Sequence, residues 1–285
     1  MLCKGELIHT MKKTVRVLAL VSAALALISA TGCNKLKARD QLNKGVQAYK
    51  SAKYEEAIEH FKNAVSVDPG LLNARLYLAT AYAQQYIPGV DTPENNRNAE
   101  AAIEQYQQVL DRHPSHEQQV NSVKGIAYLY LQMKKFEQAK EYYRKATELD
   151  PNDPEPYYSV AVIDWTQSYQ PRMEARANLG LKPEEPLKDK KVCAQLKSKN
   201  QPIIQDGIEN LEKAIKLRPD YDDAMAYLNL MYRERADVEC DDKAARAADL
   251  KTADEWVDKT MATKKQKAAK QANTQGITSE QPANR

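Results

Sequence analysis

A block of thirteen residues occurs four times in this chain. Each copy begins with a small residue, has an aromatic residue or leucine four positions later and a small or β-branched residue three after that, and ends in proline. In a helix the first three positions share one face, and the proline marks the end of that helix. Such recurrence predicts a solenoid whose units bury their apolar faces against their neighbours. The copies are Ala57, Phe61, Ala64 and Pro69; Ala102, Tyr106, Val109 and Pro114; Ala139, Tyr143, Ala146 and Pro151; Gly207, Leu211, Ala214 and Pro219.

A second helix is predicted upstream of each block, with its own apolar stripe and a small residue at Gly45, Ala79, Ala127 or Ala161. A fifth such stripe follows Pro219. The pattern resembles the tetratricopeptide repeat, a helix-turn-helix of about 34 residues. The resemblance covers residues 38–262 and implies an all-α solenoid of four to five repeats. The chain departs from the family at its early tryptophan position, which is occupied by Gln41, Arg75 and Val123.

Two of the three spacings between blocks are much longer than the period of about 34 residues. Ala102 follows Ala57 by 45 residues, and Gly207 follows Ala139 by 68. The distance from the proline to the next small residue is ten for both Pro69–Ala79 and Pro151–Ala161. The extra residues therefore fall between the two helices of a repeat, at about 84–98 and 166–202. Inserted loops of this length are either functional or disordered, and we expect both to lie along one edge of the array.

The N-terminus has the pattern of an export signal. A basic segment precedes an apolar run at residues 17–30, and Thr31, Gly32 and Cys33 follow. The run is shorter than the roughly 20 residues that a transmembrane helix needs, so residues 1–33 are interpreted as a signal peptide. Met11, which directly precedes two lysines, makes a more usual start than Met1.

Residues 29–33 resemble the lipoprotein box of bacterial envelope proteins, although Ala30 stands where that box prefers leucine. The resemblance implies that Cys33 is acylated, and Asn34 matches the pattern of outer-membrane retention with the protein facing the periplasm. The alternative is ordinary secretory cleavage next to an unmodified cysteine. A short tether at residues 34–37 would hold the first repeat near the lipid headgroups. The nearby Lys35, Lys37, Arg39 and Lys44 either contact anionic lipid or form a solvated helix start.

Two further cysteines are expected on the edge that carries the insertions. Cys193 lies in the second insertion, and Cys240 follows the fifth upstream helix. An oxidising periplasm favours a disulfide between them; the alternative is two unrelated thiols. The helix through Trp256 and Val257 is predicted to cap the open end of the solenoid. Residues 263–285 are rich in lysine, glutamine and alanine without an apolar stripe, which predicts a flexible tail.

The sequence contains none of the common catalytic motifs. It contains no glycine-rich phosphate loop, no nucleophile motif and no pair of Cys-x-x-Cys sequences. We therefore expect no catalytic residue, no metal site and no cofactor. The net charge of +3 is too small to favour nucleic acid as a partner.

The family's groove positions predict a partner-binding surface on the upstream helices. The resemblance implies that this apolar and aromatic surface takes a helix or an extended peptide; alternatively, some of its residues pack against the insertions. The family's chaperone-type carboxylate clamp is absent, since Leu42, Val46 and Tyr77 occupy its lysine and asparagine positions. The predicted groove consists of Leu42, Val46, Tyr49, Leu76, Thr80, Tyr128, Tyr158, Val162 and Trp165.

Together these features predict a non-enzymatic, lipid-anchored scaffold that binds protein or peptide partners in the bacterial cell envelope. By analogy of layout alone, its place would be an outer-membrane, secretion or pilus assembly complex. The alternative is a periplasmic carrier or sensor for a small apolar or envelope-derived ligand. Recovery of a defined protein by crosslinking would support the scaffold. A small molecule that co-purifies with the protein would support the carrier or sensor.

Overall fold

The computed structural model describes residues 32–182 and 185–279. All regular secondary structure in these ranges is α-helical, as the repeat pattern predicts. The predicted signal peptide lies outside the described residues except for Gly32 and Cys33. The helices are α1 at residues 32–50, α2 Tyr54–Val67, α3 Leu72–Gln85, α4 Pro93–Leu110, α5 His116–Gln132, α6 Phe136–Leu149, α7 Pro154–Asn178, α8 Lys190–Leu217, α9 Asp222–Val238 and α10 Lys243–Ser279.

The chain divides into two compact units, with the boundary between Leu129 and Tyr130 inside α5. In the first unit α2 packs on α3 and α3 on α4, and α1 completes a small core with them. In the second unit α6 packs on α7, α7 on α8, α8 on α9, and α9 on α10, while α7 also contacts α9. Each unit is therefore built from helices that pack mainly on their neighbours in sequence.

The repeated seam is buried in every copy, which confirms the predicted helix-turn-helix packing. Phe61, Val109 and Leu211 are fully buried, and Tyr106 and Tyr143 are 6% exposed. The small partner residues explain how such large side chains fit. An added Cβ at Gly45 would lie 2.4 Å from the ring of Phe61, and one at Gly125 would lie 2.5 Å from the ring of Tyr106. A larger residue at either glycine would push the helices apart.

The first insertion is a short connection followed by an extended helix. Residues 86–92 join α3 to α4, which begins at Pro93 with Thr92 as its N-cap. The Asn95 side chain fixes this connection, because it accepts a hydrogen bond from the backbone N–H of Ile87 and donates to the carbonyl oxygens of Ile87 and Val90. The segment predicted as a functional or disordered loop is thus held by specific contacts.

The second insertion, at about residues 166–202, differs more from the sequence expectation. It lengthens α7 to Asn178 and starts α8 at Lys190, so most of it is helical. Pro171 and Pro202 lie inside these helices, which sequence reasoning would treat as helix breakers. The guanidinium of Arg176 donates to the carbonyl oxygens of Lys182 and Glu185 and so holds the connection between the two helices.

Both ends of the described chain also differ from the predicted boundaries. The proposed tether at residues 34–37 belongs to α1. At the other end α10 packs along α9 and caps the second unit, as predicted, but it continues to Ser279 through most of the predicted tail. Lys267 pairs with the Asp222 carboxylate and donates to the carbonyl oxygen of Asp220 at 3.1 Å. These contacts at the start of α9 give the first part of the tail a fixed position.

Candidate functional site

The predicted groove residues of α1 lie against the core of the first unit. Leu42, Val46 and Tyr49 are half-buried and pack on the cluster that contains Phe61 and Leu78. Burial, as the largest cause, raises the pKa of Tyr49. Much of the surface of these three residues is therefore used in packing, whereas Tyr77 of α3 and Tyr128 of α5 are exposed.

A polar cleft of about 440 Å³ lies between α3, α4 and α5. Two predicted groove residues, Leu76 and Thr80, line it. Thr80 donates to the carbonyl oxygen of Leu76 at 2.9 Å, and its hydroxyl lies 3.1 Å from that of Tyr106. The buried Tyr106 thus orients Thr80, and Gly125 gives its ring the room to do so.

Sequence reasoning missed the amide side chains of this cleft. Asn73, Gln118 and Asn121 line it together with Ser115, Tyr77 and Glu117. The Gln118 amide donates to Asn73 at 2.8 Å, which links α3 to α5. The lining residues include no lysine or arginine. Amides can donate and accept at once, so this surface suits a peptide backbone better than a free carboxylate. The sequence contained this signal, since Asn73 lies one helical turn from Leu76 and Asn121 lies two turns from Tyr128.

Two tyrosines of this region are exposed to solvent. Tyr77 of α3 is 41% exposed and Tyr128 of α5 is 52% exposed. The Tyr77 ring stacks on the buried Phe61 ring with centroids 5.6 Å apart, and this contact fixes its position. Rigid, amphipathic rings of this kind are enriched in interfaces. Tyr77, Tyr128 and the polar cleft together are called the tyrosine–amide surface below.

The other three groove residues, Tyr158, Val162 and Trp165, lie on α7 in the second unit and are half-buried. Tyr158 and Trp165 belong to a continuous series of aromatic contacts. The ring centroids lie 5.6 Å apart for Tyr158 and Tyr227, 5.5 Å for Tyr227 and Trp165, and 4.8 Å for Trp165 and Tyr169. Burial raises the pKa of Tyr158 well above its usual value. These contacts fix the orientation of Trp165.

Beyond Trp165 the extended part of α7 forms a second cleft with α9. Its volume is about 430 Å³. Its lining residues are Trp165, Tyr169, Arg172, Met173, Arg176, Leu230, Arg233 and Glu234. Four of the eight, Tyr169, Arg172, Met173 and Arg176, belong to the second insertion, which is why the family's groove positions did not include them.

Buried charges lie behind this second cleft. Arg172 contacts both Glu234, at 2.8 Å, and Asp237, at 2.9 Å, and Arg176 contacts Asp237 at 2.8 Å. Glu234 is 1% exposed. Burial is the largest cause that raises its pKa to about 7, while Arg172 and Arg176 oppose that shift and Asp237 adds to it. The carboxyl group of Glu234 is therefore partly protonated at neutral pH.

The two cysteines for which a disulfide was one of two alternatives lie next to this cluster. The structure joins Cys193 of α8 and Cys240, just after α9, in a disulfide. Beside it, Lys197 pairs with Glu239 at 3.2 Å, and the Cys193 sulfur lies 3.7 Å from the carbonyl oxygen of Asp237. The disulfide and the arginine–carboxylate contacts thus act on the same end of α9.

The expected anchor residue, Cys33, lies in the first turn of α1 and is exposed with a free thiol. Its basic neighbours Lys35, Lys37 and Arg39 are exposed as well, and Leu36 is 72% exposed. Within residues 32–182 and 185–279, the helices lack the combination of length and apolarity that crossing a membrane requires. The same residues contain no group of three or more His, Cys, Asp or Glu side chains that could hold a metal ion.

Comparison with known proteins agrees with the helical repeats. One tetratricopeptide repeat family model matches residues 42–117, and a second matches residues 125–153. No curated protein sequence matches the chain. Tetratricopeptide repeats are protein-interaction modules, which agrees with a groove for a protein or peptide.

Solved structures share the fold at low sequence identity. MamA matches 82% of this chain and 94% of its own, with 15% identity and a TM-score of 0.53. MamA of Desulfovibrio magneticus RS-1 matches 81% of this chain and 96% of its own, with 17% identity and a TM-score of 0.53. YrrB, described as a tetratricopeptide protein with an unusual peptide-binding site, matches 84% of this chain and 98% of its own, with 13% identity and a TM-score of 0.50. Residues 42–117 and 125–153 are therefore tetratricopeptide repeats, in a chain with the all-α fold of tetratricopeptide proteins.

Proposed function

We propose that this protein is a non-enzymatic scaffold that binds a protein partner through the tyrosine–amide surface. The observation that carries the proposal is the combination of two exposed tyrosines, of which Tyr77 is held by stacking on Phe61, with a cleft of amide groups. An extended segment or a helix of a partner could bury the tyrosine rings, while Asn73, Gln118 and Asn121 supply hydrogen bonds. The absence of arginine and lysine from the cleft argues against a partner held by its C-terminal carboxylate.

The scaffold is proposed to act at the bacterial outer membrane, facing the periplasm, with a lipid on Cys33. The support is the signal-peptide pattern, the resemblance of residues 29–33 to a lipoprotein box, and the exposure of Cys33 beside basic residues. Several acyl chains on one cysteine provide stable anchoring. Residues 34–37 belong to α1, so the first repeat would follow the anchor directly. By layout, an outer-membrane, secretion or pilus assembly complex is the proposed setting.

Site-specific photocrosslinking in intact cells tests the scaffold function. A benzoylphenylalanine placed at Tyr77 or at Tyr128 should give the same discrete crosslinked protein band. The control places the crosslinker at Glu100, an exposed residue of α4. Equal bands from all three positions, or no discrete band from Tyr77 and Tyr128, would contradict the proposal.

Stoichiometric co-purification then tests whether the crosslinked protein is a true partner. The Tyr77→Ala and Tyr128→Ala double variant should lose the partner while keeping its helical circular dichroism spectrum. An exposed aromatic anchor in an interface contributes about 1–2 kcal/mol or more when truncated, so the loss should be easy to detect.

A carrier or sensor function remains the second candidate, and one observation favours it. Trp165 lines the second cleft, whose volume of about 430 Å³ lies within the range of small-molecule sites. The two functions involve different surfaces within different units of the chain. A small molecule that co-purifies with the protein and is lost in a Trp165→Ala variant would support this candidate.

A further inference from the structure

The second cleft has the composition of a ligand site with an apolar body and a charged margin. Trp165 and Tyr169 of α7 provide two aromatic rings with centroids 4.8 Å apart, and the planes are inclined by 31°. Met173 of α7 and Leu230 of α9 extend this apolar lining. Flat, fixed rings favour a planar apolar group in contact with them.

The charges around the cleft are unequal in sign. Among the described residues, four guanidinium groups, those of Arg172, Arg176, Arg233 and Arg246, contact only three carboxylates in this group, those of Glu234, Asp237 and Asp254. One positive charge therefore remains in excess. The excess grows when Glu234 is protonated, and Glu234 itself lines the cleft.

Three of the charged residues that line the cleft, Arg172, Arg176 and Glu234, each have a buried polar atom without an aligned hydrogen-bond partner. Arg176 and Glu234 are each 1% exposed. The Nε atom of Arg176 and the Oε2 atom of Glu234 are buried and make no aligned hydrogen bond. Arg172 approaches Glu234 to 2.8 Å without the alignment that a hydrogen bond needs. Buried polar groups of this kind are uncommon in folded proteins, and a bound polar group could supply the missing contacts.

Arg233 stands at the accessible side of the cleft. Its side chain is 39% exposed, and its guanidinium contacts the well-exposed Asp254 at 2.7 Å. Such an exposed pair contributes little to stability. Arg233 can therefore exchange Asp254 for an incoming anionic group at small cost, whereas Arg172 and Arg176 are committed to buried carboxylates.

From these observations we propose that the cleft between α7 and α9 binds a small aromatic organic anion. The aromatic body would contact Trp165, Tyr169 and Met173, and the negative group would lie near Arg233 and Arg172. This inference rests on the second candidate function and names the ligand class for it. A cation is disfavoured by the excess of guanidinium groups, and a neutral ligand would leave that excess unbalanced.

The test compares two dyes with the same aromatic body and different charge. The anionic probe is 8-anilinonaphthalene-1-sulfonate, and the neutral probe is N-phenyl-1-naphthylamine. Affinity is measured by dye fluorescence and by energy transfer from Trp165 in a Trp256→Phe background. We expect the sulfonate to bind more tightly than the neutral dye. Arg233→Gln should weaken the sulfonate about threefold, which is the scale of one exposed ion pair, and leave the neutral dye unchanged.

Two further variants and a matched control sharpen the result. Asp254→Asn should strengthen sulfonate binding, because it removes the carboxylate that competes for Arg233. Lys199→Gln removes an exposed positive charge elsewhere on α8 and should have no effect. Circular dichroism checks that each variant keeps its helices, so a lost signal cannot come from unfolding.

The pH dependence provides an independent readout. The sulfonate stays ionised, while Glu234, which faces Arg172, Arg176 and Asp237, gains a proton as the pH falls through about 7. Sulfonate binding should therefore be tighter at acidic than at alkaline pH, and Glu234→Gln should remove this difference.

Each failure has a separate meaning. If both dyes bind with equal affinity and the Tyr169→Ala variant binds neither, the preference for an anion is wrong. The proposed carrier function would still hold in that case. Binding of neither dye in this cleft, shown by the absence of energy transfer from Trp165, would overturn both.

Discussion

At the scale of single residues, a buried carboxyl group gives the second unit a dependence on pH. Asp164 of α7 is fully buried and pairs with Lys140 of α6. Lys140 also lies 3.5 Å from Asp206 of α8, which itself pairs with Arg144 at 2.6 Å. Burial is the largest cause that raises the pKa of Asp164 to about 7; Lys140 opposes the shift and Asp206 adds to it.

The sign of the effect follows from proton uptake. Between its unfolded pKa near 4 and its folded pKa near 7, Asp164 binds more protons in the folded state, so its contribution to stability falls as the pH rises through this window. In the wild-type protein this effect lowers the free energy of unfolding by on the order of 1–2 kcal/mol between pH 5.5 and 7.5. The Asp164→Asn variant should not show this decrease. Urea unfolding at both values measures it. Glu234 has a raised pKa as well, so part of the dependence should persist, and an unchanged difference in the variant would contradict the assignment.

Single residues also show why the sites were only partly predictable from sequence. The seam of small and aromatic residues can be recognised from its regular spacing in the sequence, so Ala57, Tyr106 and Leu211 could be assigned to the core. Arg176 and Glu234 could not, because a charged residue in a helical pattern is normally solvated. Their burial depends on pairing with residues about 60 positions away, and spacing along one helix carries no information about that.

At the scale of elements, the connection between α3 and α4 depends on one amide side chain. Asn95 is 6% exposed and makes three hydrogen bonds to the backbone of Ile87 and Val90. Replacing it with alanine would leave those backbone groups without their partner. Asn95→Ala should reduce the free energy of unfolding by about 1–3 kcal/mol and increase amide hydrogen exchange at residues 86–92.

The neighbouring Asn96 provides the matched control for this prediction. Its exposed side chain donates to Asp91 at 2.9 Å, so Asn96→Ala should change stability by only about 0.5 kcal/mol or less. Similar effects from both variants would show that the connection is not held by Asn95.

The disulfide between α8 and the end of α9 is the second element-scale feature that can be tested. It joins residues 47 positions apart. A crosslink of this length typically contributes about 2–4 kcal/mol, so Cys193→Ala with Cys240→Ala should lower the urea midpoint to that of the reduced wild-type protein. Cys33→Ser, which leaves the disulfide intact, should not. Two additional alkylated thiols in the denatured but unreduced protein would contradict the bond.

The length of α7 shows where sequence patterns were not enough to predict an element. The extension of α7 continues the face of Trp165 with Tyr169, Met173 and Arg176, a helical pattern within the segment that was expected to be a loop. Pro171 obscured it, since proline ordinarily interrupts a helix. The extension is stabilised because Arg172 and Arg176 contact carboxylates of α9 and Asn200 of α8 donates to the carbonyl oxygen of Ser168. Such contacts are visible only once the helices are packed.

At the scale of the whole molecule, the proposed lipid anchor would determine where the proposed scaffold acts. The lipoprotein resemblance predicts that the mature chain begins at an acylated Cys33. The wild-type protein should fractionate with the outer membrane and incorporate labelled palmitate, whereas Cys33→Ser should lose the label and the membrane association. Asn34→Asp should keep the label and move the protein toward the inner membrane. Unlabelled wild-type protein in the soluble periplasmic fraction would contradict the anchor.

The distribution of tryptophan has a practical consequence for studies of cooperativity. Both tryptophans, Trp165 and Trp256, lie in the second unit. Intrinsic tryptophan emission therefore follows the melting of that unit alone, while circular dichroism follows helices in both. If the halves melt as one, the two curves superimpose; if they melt independently, the emission curve departs from the dichroism curve, and the difference gives the stability of the unit that emits no tryptophan signal.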